Sequence, residues 1–195
     1  MLLIENMKLC FIDVETTGLN PKRNGIIQIA GIIDIDDTQV LDFNFYVKPF
    51  SSDIIDKKSL EINKISLKRI RTFHKPQEIY NKLIHIFTQY IDKYDKSDKF
   101  IFAGYNANFD FQFLNEFFKK NNDQYFFSWF FSPPLDIMNL ALFDLKNNLH
   151  RIKNFQLETV LKYYNINPGV SHNAFEDIKA TYKLYREIYS KYSSF

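Results

Sequence analysis

The sequence predicts one α/β domain over residues 1–195, built on a mixed sheet whose first three strands are antiparallel and whose later strands are parallel. Three strand-like segments follow one another near the amino terminus, which favours antiparallel pairing. Strand-like and helical segments then alternate, which favours parallel crossovers with helices flanking the sheet. A chain of 195 residues is also long enough to bury its own core without a metal or disulfide staple.

Apolar patterning predicts the first three strands. Residues 8–14 form a short apolar run that ends at the turn sequence Gly18-Leu19-Asn20-Pro21. Residues 25–35 are almost continuously apolar, as in a strand buried on both faces, whereas residues 40–47 alternate between apolar and polar side chains. The first two strands should therefore lie inside the sheet, and the third should have one face exposed.

Helical spacing of apolar residues predicts most of the remaining elements. Pro76 stands where the first residue of a helix is favoured, and residues 100–104 are typical of a fourth strand. Asp136 is interpreted as a helix cap, with a more direct part in a site as the alternative. We expect helices near residues 59–65, over about 76–90, around 111–118, after Asp136, over about 153–164 and over about 174–192.

Composition excludes several classes of protein. Apolar residues make up 46% and charged residues 25%, which argues against a disordered chain, a collagen or a coiled coil. The net charge is only +2, so any site for a polyanion must be local. Cys10, the single cysteine, should be buried and inert. With no secretory leader and no stretch of ~18 apolar residues, we expect a cytoplasmic protein that does not bind a membrane.

The aromatic run at residues 125–131 (YFFSWFF) has two interpretations. Phe and Trp are usually buried, so core packing is favoured. A patch that binds a partner is the alternative.

Four carboxylates and one imidazole stand at or near the ends of predicted strands and helices. Asp13 and Glu15 are two residues apart, which in a strand places both side chains on one face, although such an isolated pair is usually a solvated strand end. Asp110 follows the fourth strand, and Asp177 and His172 lie close to the start of the last helix. Oxygen ligands suit Mg²⁺ or Mn²⁺, and two such ions suit hydrolysis of a phosphodiester. His172 could then take a proton from the attacking water at neutral pH.

Three segments resemble the exonuclease motifs of the DEDDh group of DnaQ-like 3′–5′ exonucleases, which includes proofreading subunits of bacterial DNA polymerases. They are FIDVETTGL, GYNANFD and SHNAFEDIKA, and the resemblance runs from residue 9 to about 188. It implies a ribonuclease H-like fold. It also implies that two divalent ions, Mg²⁺ or Mn²⁺, are bound by Asp13, Glu15, Asp110 and Asp177. His172 would be the general base.

The resemblance also implies contacts with the substrate. The Thr16 backbone would contact the terminal 3′-hydroxyl together with Glu15, and Leu19 would insert between the last two bases. The full set of implied substrate-binding residues is Thr16, Thr17, Gly18, Leu19, Asn106 and Phe109. Leu19 and Phe109 also fit plain core positions. Tyr105 departs from the pattern, because many members of the family carry His there.

The implied activity is metal-dependent release of nucleoside 5′-monophosphates from 3′ ends, most simply of single-stranded DNA. The alternatives are the same chemistry on RNA, as in an oligoribonuclease, and a non-catalytic module associated with a polymerase. Nucleic acid is the expected partner, and a DNA polymerase or a helicase is a further one. The chain would act as a monomer or a homodimer.

Overall fold

A mixed five-stranded sheet forms the centre of the computed structural model, which describes residues 7–169 and 173–193. The strands are β1 (Lys8–Thr16), β2 (Ile26–Ile35), β3 (Thr38–Tyr46), β4 (Ile101–Gly104) and β5 (Leu135–Asp136). Their order across the sheet is β3-β2-β1-β4-β5. β2 pairs antiparallel with β1 and β3, whereas β4 pairs parallel with β1 and β5. The predicted mixed sheet is therefore confirmed.

Burial along the first three strands follows their composition. Every residue of β2 except Ile35 is buried, which explains why this strand is almost continuously apolar. β3 lies at the edge of the sheet and exposes much of one face, while Phe43 points into the core. β1 lies in the middle of the sheet. The acidic residues near the end of β1 lie where this strand still pairs with β2, beyond the end of its pairing with β4.

Seven α-helices lie in the described part of the chain. They are α1 (Lys57–Ile62), α2 (Leu67–Ile70), α3 (Pro76–Phe87), α4 (Ala107–Lys120), α5 (Ile137–Asp144), α6 (Leu157–Tyr163) and α7 (Ala174–Ser190). Short 3₁₀ turns occupy Phe126–Ser128 and Leu149–Arg151. Pro76 is the first residue of α3, as predicted. Among residues 7–169 and 173–193, no helix is both long and apolar enough to cross a bilayer.

The helices cover both faces of the sheet. On one face, α3 and α4 pack on Cys10, Ile12 and Val14 of β1. On the other face, α5, α6 and α7 pack on Leu9 and Phe11. Because side chains alternate along a strand, Asp13 and Glu15 continue the row of Leu9 and Phe11. They therefore point to the side of the sheet that α7 covers.

Three elements differ from the sequence-based expectation. The helix expected near 59–65 is α1, which ends at Ile62, before Lys64 with its left-handed φ of 54°, and the separate short helix α2 was not predicted. The helix expected from residue 153 begins at Leu157, because the Asn154 side chain accepts the Gln156 N–H and the preceding segment is not helical. The two-residue strand β5 was not predicted, since two residues carry no periodic signal.

The aromatic run at residues 125–131 divides between the core and the surface. Phe126, Trp129 and Phe130 are almost fully buried, so the core interpretation is confirmed for these three side chains. Tyr125 and Phe127 are exposed, as is Phe131. The run makes a 3₁₀ turn before Trp129, so its side chains point in different directions.

Candidate active site

Three of the predicted acidic residues converge at the end of β1. One carboxylate oxygen from each of Asp13, Glu15 and Asp177 lies within 4.8 Å of the others. Glu15 is buried, whereas Asp13 and Asp177 are partly exposed at the mouth of the cluster. Residues more than 160 positions apart in the sequence thus form one acidic site.

The pairing of β1 with β2 sets the position of the two strand carboxylates. Asp13 lies opposite Ala30 and Glu15 lies opposite Gln28, and the register shifts between Glu15 and Thr16. The two carboxylates therefore reach out from a rigid strand rather than from a loop.

A pair of amide side chains sets the position of Asp177. Asn173 caps α7, with its side-chain oxygen accepting the N–H of Phe175 at 3.1 Å. The same oxygen accepts from Nε2 of Gln28, at 3.2 Å. Gln28 is 1% exposed and also bonds to Asn44 on β3. The start of α7, and with it Asp177 in the first turn, is therefore tied to the sheet beside Glu15.

Asp110 lies beside this cluster and is held differently. One of its carboxylate oxygens accepts the backbone N–H of Val14 at 2.9 Å, and the residue is 4% exposed. Its charge is among those that raise the pKa of Asp13, so the two carboxylates are close neighbours. The three-residue group that could hold an ion does not include it. Its role as a metal ligand stays a prediction.

Asp136 fixes the start of α4, from which Asp110 projects. Its Oδ1 caps α5 by accepting the Met138 N–H at 3.0 Å, which confirms the predicted cap. The same oxygen accepts the Asn106 N–H at 2.9 Å. Asn106 has a left-handed φ of 58°, a conformation that Asn tolerates better than most residues. Asp136 thus joins two helix starts at the edge of the site.

The cluster strongly disfavours negative charge when no cation is bound. Burial, and then the charges of Asp110, Glu15 and Asp177, raise the pKa of Asp13 well above its usual range. Burial, and then the charge of Asp177, raise the pKa of Glu15 to about 7. Burial raises the pKa of Asp110 as well, although the N–H of Val14 opposes that shift. A divalent cation would reverse this balance, and an all-oxygen ligand set suits Mg²⁺ or Mn²⁺.

The β1–β2 loop, residues 17–25, carries most of the predicted substrate contacts. Leu19 is 83% exposed, so its interpretation as a core residue is wrong. Thr17 is buried, and its hydroxyl donates to the Ile54 carbonyl and accepts the Gly25 N–H. Gly18 lies so close to Asn24 that a Cβ atom on residue 18 would be 2.3 Å from the Asn24 side chain. Thr17 and Gly18 therefore shape the loop, and Leu19 is left at its surface.

A family model describing exonucleases matches residues 10–185. The chain belongs to the exonuclease family. The predicted resemblance to DnaQ-like 3′–5′ exonucleases is thereby confirmed. All of the described acidic residues of the site lie inside the matched span.

Known relatives match this exonuclease domain over only part of their own length. It is 27% identical over 182 residues to the PolC-type DNA polymerase III of Thermotoga petrophila, covering 93% of this chain and 12% of the polymerase. It is 33% identical over 111 residues to ribonuclease T of Buchnera aphidicola, covering 53% of this chain and 50% of that protein.

A solved structure supports the ribonuclease H-like fold. Exonuclease I of Escherichia coli, in complex with a dT13 oligonucleotide, matches with a TM-score of 0.74 at 23% sequence identity. The match covers 94% of this chain and 41% of that chain.

A cleft of about 610 Å³ opens beside the acidic cluster. Asp177 and Asn106 border it on the side of the cluster, and Tyr105 and residues 155–158 form other parts of its wall. The Tyr105 hydroxyl donates to the Phe155 carbonyl at 2.7 Å, so this side chain braces the wall of the cleft. Phe109 is half-buried against Phe113, 4.8 Å between ring centroids. Asn106 borders the cleft as the channel prediction requires, whereas Phe109 mainly packs on α4.

His172 lies outside the described residues, as do Val170 and Ser171. Its role as a general base therefore stays a prediction. Two residues that organise the site were not singled out from the sequence, Gln28 and Asn173. A signal existed for each, because Gln28 interrupts an otherwise apolar strand and Asn173 stands directly before a predicted helix. Their link to each other, 145 positions apart, had no signal in the sequence.

Proposed function

We propose that this chain removes nucleoside 5′-monophosphates from the 3′ ends of single-stranded DNA by metal-dependent hydrolysis. The observation that carries the proposal is the convergence of Asp13, Glu15 and Asp177 at the end of β1 in a member of the exonuclease family. Such a site can bind a terminal phosphodiester only through cations, because its own charge repels the phosphate.

Asp13, Glu15 and Asp177 would hold two divalent ions, with Asp110 as the fourth ligand. The oxygen-only donor set and the raised pKa values of Asp13 and Glu15 support this assignment. Bound Mg²⁺ or Mn²⁺ would stabilise charge on the attacking and leaving oxygens of an in-line displacement at phosphorus. His172 would accept the proton of the attacking water.

The surrounding residues would bind and orient the end of the strand. Leu19 would insert between the last two bases, and its side chain, which is 83% exposed, is available for that contact. The Thr16 backbone and Glu15 would position the terminal 3′-hydroxyl. The cleft lined by Tyr105 and Asn106 is large enough to admit part of a nucleotide. Because Glu15 and Asp110 are buried, a paired end would have to separate before its terminal phosphodiester could reach the acidic cluster.

The same chemistry on RNA is the second candidate, and the similarity to ribonuclease T favours it. The match to an exonuclease I structure that contains dT13 supports DNA. Competition between DNA and RNA strands of equal length and sequence in one reaction would decide between them. A DNA polymerase is the partner that the PolC-type relative supports.

A 5′-labelled single-stranded oligonucleotide tests the proposal directly. We expect stepwise shortening from the 3′ end that requires Mg²⁺ or Mn²⁺ and stops when EDTA is added. Asp13→Asn should abolish the shortening while the circular dichroism spectrum is unchanged, and the exposed Glu61→Gln is the matched control. If the folded wild-type protein leaves both DNA and RNA intact in the presence of metal, the proposal is refuted.

A further inference from the structure

Lys120, the last residue of α4, is bonded to the β1–β2 loop although it is distant from that loop in the sequence. Its ammonium group donates to the Pro21 carbonyl at 3.3 Å and to the Asn24 carbonyl at 3.1 Å. It also donates to Oδ1 of Asp53 at 2.6 Å. An ammonium group has three N–H donors, and all three are used here. Lys120 therefore holds the loop instead of extending into solvent.

The ion pair between Lys120 and Asp53 is largely shielded from water. The side chain of Lys120 is 19% exposed and that of Asp53 is 1% exposed. The other oxygen of Asp53 accepts the backbone N–H of Phe50 at 2.8 Å. Gly25, at the end of the loop, leaves room for this carboxylate, because a Cβ there would lie 2.3 Å from it. The space left among these residues is about 10 Å³, so they are closely packed.

The bonds of Lys120 to Pro21, Asn24 and Asp53, called the clamp below, affect Leu19 because the leucine side chain has few contacts that fix its position. A side chain that is 83% exposed gains little from packing, so its location depends on the backbone of the loop. On the near side, the Asn63 amide donates to the Thr16 carbonyl at 3.0 Å. On the far side, Lys120 holds Pro21 and Asn24. Leu19 lies between these attachments. Asn24, whose carbonyl accepts from Lys120, also accepts the Asn20 N–H with its Oδ1 at 3.0 Å, so Lys120 is linked to the residue next to Leu19.

We propose that Lys120 is a positioning residue that sets the position of Leu19 for binding the 3′ end of the strand. This inference rests on the proposed function, in which Leu19 contacts the terminal bases. α4 thereby serves the site at both ends, since its first turn carries Asp110 and its last residue holds the loop. Loss of the clamp should impair strand binding more than the chemical step.

The chain contains a matched control for this test. Lys8 is 18% exposed and donates to Asp98 at 2.6 Å and to the Tyr90 carbonyl at 2.7 Å. It lies at the start of β1, at the opposite end of the strand from Asp13 and Glu15. Lys120→Met and Lys8→Met each remove one positive charge and one partly buried ion pair. The two variants therefore have the same net charge, so a difference between them does not come from the overall charge of the protein.

The experiment measures KM and kcat on a single-stranded oligonucleotide, and Kd for the same strand by fluorescence anisotropy with Ca²⁺ in place of Mg²⁺. We expect Lys120→Met to raise KM and Kd at least fivefold with less than a twofold change in kcat. Lys8→Met should change neither KM nor Kd by more than twofold. If Lys120→Met fails to fold, Asp53→Asn carries the same test.

A double-mutant cycle separates positioning from a merely structural role. Leu19→Ala should raise KM at least fivefold in the wild-type background and less than twofold in the Lys120→Met background. The inference would be overturned if Leu19→Ala raised KM by the same factor in both backgrounds. Equal effects of Lys120→Met and Lys8→Met on KM and Kd would also overturn it. If the wild type binds the strand but does not cleave it, the proposed function fails and the Kd values alone decide the role of Lys120. If the wild type does neither, both are refuted.

Discussion

Replacing Glu15 by glutamine should stabilise the metal-free protein at pH 8. Glu15 is 9% exposed, and burial with the nearby charge of Asp177 raises its pKa to about 7. Its ordinary value, which applies to the unfolded chain, is 4.5. Between these two values the folded protein binds more protons than the unfolded chain. Glu15 therefore does not reduce the free energy of unfolding below pH 4.5, and it reduces that free energy progressively as the pH rises towards 7.

The size of the effect follows from the same two pKa values. Each pKa unit corresponds to about 1.36 kcal/mol, so ionised Glu15 lowers the free energy of unfolding by roughly 3 kcal/mol at pH 8. At pH 5 the corresponding loss is below about 1 kcal/mol. Glutamine has nearly the same shape and carries no charge. For a domain of this size, 3 kcal/mol corresponds to a rise in Tm of roughly 6–12 °C.

Thermal denaturation of wild type and Glu15→Gln in EDTA, at pH 5 and at pH 8, measures this difference. Glu61→Gln, on an exposed position of α1, is the control and should leave Tm unchanged at both pH values. Adding 10 mM Mg²⁺ at pH 8 should stabilise the wild type more than Glu15→Gln, because the variant has lost a ligand. A glutamine variant that is less stable than the wild type at pH 8, or a difference that does not vary with pH, would refute the reasoning.

Three further predictions concern other residues. His172→Ala should lower kcat by about 10²–10⁴-fold without changing Tm, and wild-type turnover would remove His172 from the mechanism. Asp136→Ala should lower the free energy of unfolding by about 1 kcal/mol in urea denaturation, through loss of the α5 cap, and should also lower kcat. An unchanged kcat would show that Asp136 caps α5 without contributing to the geometry of the active site. Burial raises the pKa of the Cys10 thiol, which is 0% exposed, so Ellman's reagent should react only after unfolding. Rapid reaction with the native protein would contradict the burial.

Local patterns in the sequence determined the elements and the chemistry of this protein. The alternation in β3, the apolar run of β2 and Pro76 at the start of α3 each act over a few neighbouring residues. The pairing of Asp13 with Glu15 was predictable because residues two apart in a strand point to the same face of the sheet. Such signals are local, so they can be read without knowledge of the remainder of the chain.

Only the tertiary structure decided how these parts meet. The strand β5 forms because β4 offers its free edge to residues 135–136. Asp110 is held by the N–H of Val14, and Lys120 by the carbonyls of Pro21 and Asn24, each about a hundred positions away. Leu19 is exposed although its side chain is as apolar as any in the core. Each of these outcomes depends on which groups are left without a partner once the sheet and its helices have packed, and that is a property of the whole fold.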